Sequence, residues 1–263
     1  MADTAARHAA AQVERRLARV LAANRRGRDA RVAPGNLSPW LAPLQRWQTQ
    51  RLGASFADFA AAPGTHAATA FFLSDLYGDH DVSARDRGVE RVMPMMKRLL
   101  PTELLATAAD AIELAALSHA LDLRMAGELE RLLPAPAALD EHSYAEAYRR
   151  TGLARLRRRQ IALIVAIGTA LDAAVRTPWL ARVLRMSRLP ARAVGLMDLQ
   201  SFLERGFAAF AGMDDADAFM REIARREAEV SRRLFAGSAD PFDVAPLPAA
   251  RRTRSNQPNS RSR

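Results

Sequence analysis

The sequence predicts an all-α protein, a single multi-helix bundle of about nine or ten helices with no significant β-sheet. Apolar residues recur at the three- and four-residue spacing of amphipathic helices along most of the chain. No segment alternates between apolar and polar residues in the way that a half-buried strand requires. Proline and glycine separate the helical segments by short connections, as in a packed bundle.

Caps and helix breakers place the helical segments in order. A hydroxyl or carboxyl side chain before an apolar run predicts a helix start, and glycine or proline after it predicts the end. The longest segment is rich in alanine, which allows close helix packing, and Ile161–Val175 is the most hydrophobic. The predicted segments are a short basic helix around Val13–Leu21, Ser38 to Pro63, Thr65 to Gly78, Ser83 to Leu100, Thr102 to about Leu133, Ser143 to Gly152, Ile161 to Val175, Pro178 to Pro190, Val194 to Phe210, and Phe219 to Phe235 after Asp214 or Asp215.

Charge divides the chain into three regions. Residues 1–35 hold eight arginines and three acidic residues, a net charge of +5, and residues 236–263 carry +3. Residues 36–235 are close to neutral. We therefore predict a basic amphipathic helix and linker over 1–35, an all-α globular domain over 36–235, and a disordered basic tail over 236–263.

Composition excludes several classes of function. The chain has no cysteine, which removes disulfides, thiolate metal sites and cysteine nucleophiles. No histidine follows a glutamate by three residues, as a di-iron bundle needs, and no glycine-rich phosphate loop occurs. The sequence predicts neither a catalytic residue nor a metal ligand and names no cofactor. Without a secretory signal or an apolar run long and apolar enough to span a bilayer, a soluble cytoplasmic protein is expected.

One dense polar cluster lies between two apolar helices. Its members can form a structural corner of caps and turns, which we favour, or the rim of a ligand pocket. The spacing of Asp79, Asp81, Ser83 and Glu90 resembles part of a calcium loop, but Ala84 stands where the turn needs glycine. The candidate ligand-binding residues of this cluster are Tyr77, Asp79, His80, Asp81, Arg85 and Asp86.

His119 is a further candidate ligand-binding residue. It shares the apolar stripe of the long helix with Ile112 and Leu123, and Asp122 follows it at i, i+3. A buried histidine beside a carboxylate can act as a general base or hold a haem iron. The alternative that we favour is a core or boundary histidine bonded to a neighbour.

Two segments carry a resemblance. They are Phe71-Phe72-Leu73-Ser74-Asp75-Leu76-Tyr77-Gly78, with Asp81 and the residues up to Pro101, and Leu199-Gln200-Ser201-Phe202-Leu203-Glu204-Arg205-Gly206-Phe207. Together they resemble a family of uncharacterised bacterial proteins, over about residues 40–235. The resemblance implies no reaction, cofactor or catalytic residue.

Three functions stay open at this point. The first is a non-catalytic helical protein that binds a protein partner or a small apolar ligand, in which case Met93, Met95 and Met96 would line the contact, in a homodimer or with another protein. The second is a haem- or small-molecule-binding enzyme that uses His119 or His80. The third is an accessory nucleic-acid binder, through non-specific polyanion contacts of residues 1–35 and 249–263.

Overall fold

The structure is a computed structural model that describes residues 2–76, 101–134, 138–193 and 195–246. These residues form α-helices joined by short connections, with one 3-10 turn, one π-helical turn and no strand. The predicted all-α bundle is confirmed. Residues 77–100, which hold the predicted polar cluster and Met93, Met95 and Met96, lie outside the described residues.

The helices are numbered here in chain order. A 3-10 turn at Pro34–Leu37 precedes α2, and a π-helical turn at Phe72–Leu76 follows α4. The α-helices are α1 (Ala2–Arg28), α2 (Leu41–Ser55), α3 (Ala57–Ala61), α4 (Pro63–Phe71), α5 (Thr102–Leu132), α6 (Glu141–Thr151), α7 (Ala154–Val175), α8 (Pro178–Met186), α9 (Arg188–Ala193), α10 (Met197–Ala211) and α11 (Ala216–Ala236).

Several predicted boundaries coincide with observed caps. The predicted cap Asp215 accepts a hydrogen bond from the Ala218 backbone at the start of α11. Helix α6 begins before its predicted start at Ser143, because Asp140 caps it by accepting a hydrogen bond from the Ser143 backbone. Gly152 and Gly237 end these helices in the left-handed conformation, which glycine adopts without the strain of a side chain. Local capping chemistry therefore fixed these helix ends.

Other boundaries differ from the prediction. The first helix continues to Arg28, because Gly27 is tolerated within it and Asn24 is buried. The helix expected to run to Pro63 breaks near Phe56 into α2 and α3. Pro63 then occupies the first position of α4, where its missing amide hydrogen costs nothing, so it begins a helix instead of ending one.

The long helix α5 organises the packing. It contacts α1, α2, α6 and α7, and α7 in turn packs against α10 and α11. One core cluster joins α4, α10 and α11 around Phe71, Phe210 and Phe219. A second joins α2, α5, α6 and α11, where Trp47 stacks on Tyr144 with 4.0 Å between ring centroids.

Both described ends of the chain pack on this body. Leu17 and Val20 of α1 form a third core cluster with Leu105 and Ala109 of α5. At the other end, Phe242 lies 5.5 Å from the ring centroid of Trp47. The domain boundaries stay a prediction, and the structure shows that residues on either side of them contact the globular part.

Helix α5 is also long and apolar enough to cross a membrane, judged by length and composition alone, and α7 with α8 passes the same test as one bent pair. The core helix of a water-soluble protein satisfies the same criterion, so this observation is weak evidence for either environment.

Candidate functional site

His119 is the one predicted site residue that the structure describes, and it is buried on α5. Its Nε2 lies 2.7 Å from Oδ1 of Asn36, in the 3-10 turn before α2. The other candidates, Tyr77, Asp79, His80, Asp81, Arg85 and Asp86, lie outside the described residues.

The contacts of Asn36 settle which atom of this pair donates. Its Nδ2 donates to the backbone oxygens of Gly27 at 2.9 Å and Ala33 at 2.7 Å, so its Oδ1 must be the acceptor facing the ring. His119 Nε2 therefore carries the proton and donates. This arrangement ties the connection between α1 and α2 to α5, and it engages the nitrogen that a haem iron would need.

The carboxylate of Asp122, the residue that sequence spacing offered as a partner for His119, faces α2. It accepts hydrogen bonds from Nε2 of Gln45 at 3.3 Å and of Gln48 at 3.2 Å. Burial raises its pKa above the ordinary carboxyl value, against the lowering effect of Arg157 and these hydrogen bonds. Gln45 and Gln48, which the sequence did not indicate as partners, therefore hold the carboxylate of Asp122.

No described residues form a group of three or more that could hold a metal ion. A cavity of about 30 Å³ lies among the phenylalanines of the first core cluster, including Phe56, Phe72 and Phe219. That volume has room for one or two water molecules. This cavity is too small for an organic ligand.

The feature that stands out among the described residues is an exposed apolar surface on α8 and α9. Trp179 is 43% exposed, Val183 47%, Met186 71% and Leu189 78%. We call these four residues the α8–α9 face. Apolar side chains scattered singly on a surface need no explanation, whereas here four lie within eleven residues.

Helical spacing puts three of these side chains in one stripe. At about 100° per residue, Trp179, Val183 and Met186 fall within about 60° around the α8 axis. The partly buried Leu180 and Leu184 lie on one side of the stripe, toward the body. On the other side lie exposed arginines, Arg182 first and Arg185 beyond it. The stripe is thus bordered by protein on one side and by positive charge on the other.

The segment that contains α8 and α9 carries only positive side-chain charge. Residues 173–197 hold five arginines and no acidic residue. Arg176 pairs with Asp172, and Arg188 pairs with Glu204. The remaining three form no hydrogen bond or ion pair with any residue in the described part of the chain; they are Arg182, Arg185 and Arg192.

Polar side chains of α10 hold the corner between α8 and α9. Gln200, which is buried, donates to the backbone oxygen of Leu184 at 2.7 Å and accepts from Ser187 at 2.9 Å. Glu204 accepts two hydrogen bonds from Arg188, at 2.5 and 2.9 Å. These hydrogen bonds fix the geometry of the corner between α8 and α9.

Both segments that carried the family resemblance take part in this region. Gly206 of α10 lies against Phe71 of α4, and Phe202 lies 5.4 Å from Phe71 between ring centroids. Gln200 and Glu204 hold the α8–α9 corner from the same helix. Sequence reasoning predicted one brief helix between Pro178 and Pro190, whereas the structure ends α8 at Met186 and places Pro190 inside α9. Periodicity cannot tell whether an apolar stripe faces the core or solvent.

The family model "Domain of unknown function (DUF8198)" matches residues 27–241. The chain belongs to this family. No curated protein and no solved structure matches it. The matched range includes the α8–α9 face together with the two contacting segments, and the family description assigns them no activity.

Proposed function

We propose that this chain is a non-catalytic helical protein that binds a partner protein through the α8–α9 face. The observation that carries the proposal is the exposure of Trp179, Val183, Met186 and Leu189 on a corner that α10 holds in place. Aromatic side chains at the centre of a contact supply much of the binding energy in protein interfaces, and flexible thioether side chains adapt to the surface of a partner.

The alternatives have less support. A small apolar ligand would need a pocket, and the cavity among the described core residues is about 30 Å³. A haem bound through His119 would need Nε2, which donates to Asn36. Neither obstacle applies to a partner protein that covers an existing surface.

The energetic scale points to a transient complex. Covering what remains exposed of the four side chains contributes roughly 1–2 kcal/mol each. Part of that gain is offset by the translational and rotational freedom lost on association. Further contacts around the α8–α9 face must therefore contribute before binding becomes tight.

Site-specific photo-crosslinking tests the proposal. A photo-reactive amino acid replaces Leu189 in the full chain, in cells that naturally express it, and adducts are identified by mass spectrometry. Leu37 gives a matched control, because it is an equally exposed leucine, 76% against 78%, in the 3-10 turn. We expect one protein adduct from position 189 that is absent from position 37 and lost when Met186→Asp is added.

Binding of the identified protein is then measured with purified components. We expect Leu189→Asp to abolish it, Leu37→Asp to leave it unchanged, and neither substitution to lower the melting temperature. Equal adducts from the two positions, or binding that survives Leu189→Asp, would overturn the proposal.

A further inference from the structure

We infer that the partner presents an acidic amphipathic helix, whose apolar side chains cover the α8–α9 face and whose carboxylates meet Arg182 and Arg185. The inference rests on the proposed function and names the chemistry of the partner at that same site.

Arg182 and Arg185 lie beside the apolar stripe, where acidic side chains of a partner can contact them. Arg182 borders the exposed stripe at about 40° from Met186 around the α8 axis, and Arg185 lies about 60° further round. When an amphipathic helix packs its apolar side chains along the stripe, its flanking polar residues come next to these guanidinium groups. Arginine suits this role because its planar fork binds a carboxylate through two hydrogen bonds.

The positive charge here is not neutralised by the described chain. Some exposed arginines elsewhere on the described surface pair with acids one turn away on their own helix, as Arg232 does with Glu229 and Arg150 with Glu146, and others, such as Arg221, do not. The segment from 173 to 197 has no acidic residue to do this. Charge complementarity therefore has to come from outside the segment, and it favours an acidic occupant.

A second copy of this chain fits the surface less well. A symmetric dimer that pairs two α8 helices antiparallel places the flank with Arg182 and Arg185 against the same flank of the second copy. Like charges at an interface oppose association. An acidic partner relieves this repulsion, and a second copy does not.

An anionic membrane fits less well for a geometric reason. An interfacial helix inserts its apolar side chains into lipid and keeps its opposite face in water. Here Leu180 and Leu184, beside the stripe, are partly buried against the body, and more than half of Trp179 is already covered. Because these side chains are already partly covered, they insert into lipid poorly. A partner protein whose own side chains project toward them can contact them more readily.

Three synthetic helical peptides test the inference on the full chain. They share one leucine stripe and carry glutamate, glutamine or lysine on its flanks, and their affinities are measured by fluorescence anisotropy. Exposed ion pairs contribute modestly, so two of them predict roughly fivefold tighter binding of the glutamate peptide than of the glutamine peptide. Raising the salt from about 0.1 M to about 1 M should remove most of that difference.

Charge reversal on the protein provides the matched comparison. Arg182→Glu with Arg185→Glu should reverse the order of the glutamate and lysine peptides. Arg221→Glu, at an exposed arginine of α11 that forms no hydrogen bond or ion pair with a described residue, should leave the order unchanged. Leu189→Asp should weaken all three peptides.

The outcomes separate this inference from the proposed function. Equal binding of the glutamate and glutamine peptides, lost in Leu189→Asp, overturns the acidic partner and leaves partner binding in place. Absence of binding by the glutamate peptide also overturns the inference, and the crosslinking experiment then decides the proposed function by itself. A dimer broken by Leu189→Asp, or tighter binding to phosphatidylglycerol vesicles than to the glutamate peptide, overturns it in favour of a second copy or a membrane.

Discussion

Gly206 of α10 sits against the aromatic ring of Phe71, and replacing it with alanine tests the packing between α4 and α10. A Cβ atom at position 206 would lie 2.8 Å from Cζ of Phe71 and 3.3 Å from both Cε atoms. These distances are shorter than van der Waals contact. Because Phe71 is buried and packs against Phe72 and Phe202, its ring has little room to retreat.

Two opposing effects set the magnitude. Overpacking a filled core costs about 1–3 kcal/mol. Alanine in place of glycine inside a helix contributes about 0.5–1 kcal/mol in the other direction. We therefore expect Gly206→Ala to lower the free energy of unfolding by about 0.5–2 kcal/mol, which lowers the melting temperature of a protein of this size by about 1–8 °C.

Gly127→Ala is the matched control. Gly127 lies inside α5, and a Cβ atom there would meet nothing within 4 Å. This variant should gain about 0.5–1 kcal/mol, because only the helix propensity changes. Thermal and urea unfolding followed by far-ultraviolet circular dichroism measures both variants.

A second substitution tests whether the aromatic ring of Phe71 causes the loss of stability in Gly206→Ala. In a Phe71→Leu background the Cζ atom that meets the new Cβ is absent, so the penalty of Gly206→Ala should shrink in a double-mutant cycle. If Gly206→Ala raises the melting temperature as Gly127→Ala does, the close approach of α4 and α10 is wrong, and with it the contact between the two family segments.

Three further predictions concern the buried polar groups. Asn36→Ala removes the side-chain hydrogen bonds to His119 Nε2 and to the backbone oxygens of Gly27 and Ala33, so it should cost about 1–3 kcal/mol in urea unfolding. A cost below about 0.5 kcal/mol would contradict the tie between α5 and the α1–α2 connection. Added haem should give no Soret shift that depends on His119, measured on wild type and His119→Ala; a shift lost in that variant would show that Nε2 is available. Burial raises the pKa of Tyr148 to about 12, so the stability it contributes is complete below pH 10 and is lost as the pH rises through 12; Tyr148→Phe should flatten this alkaline fall, and an unchanged slope would refute the burial of the hydroxyl group.

The helices and several of their ends were predictable from the sequence, because capping and chain breaking are local. The predicted cap Asp215 accepts a hydrogen bond from an amide three residues away, and Gly152 supplies a backbone conformation that few other residues adopt. Pro63 shows the limit of local reasoning. Proline both ends and begins helices, and the neighbouring structure decided in favour of a beginning.

The candidate site was only partly predictable. From the sequence, His119 could be a catalytic or ligand-binding histidine, or a structural one. The structure shows that His119 is hydrogen-bonded to Asn36, which lies 83 residues away in the chain, and this contact supports the structural role. The apolar periodicity of α8 was visible, but its orientation was not. Amphipathic spacing shows that a stripe exists, and only the packing of α8 against α7 and α10 shows that Trp179, Val183 and Met186 face outward.

The sequence by itself determined the all-α class, the absence of cysteine chemistry and the one-sided charge of residues 173–197. These properties depend on composition and on interactions within a few residues. The tertiary structure decided that Gln200 and Glu204 hold the α8–α9 corner and that His119 donates to Asn36. Such pairings join residues far apart in the chain, and their existence depends on how whole helices pack, which no local pattern encodes.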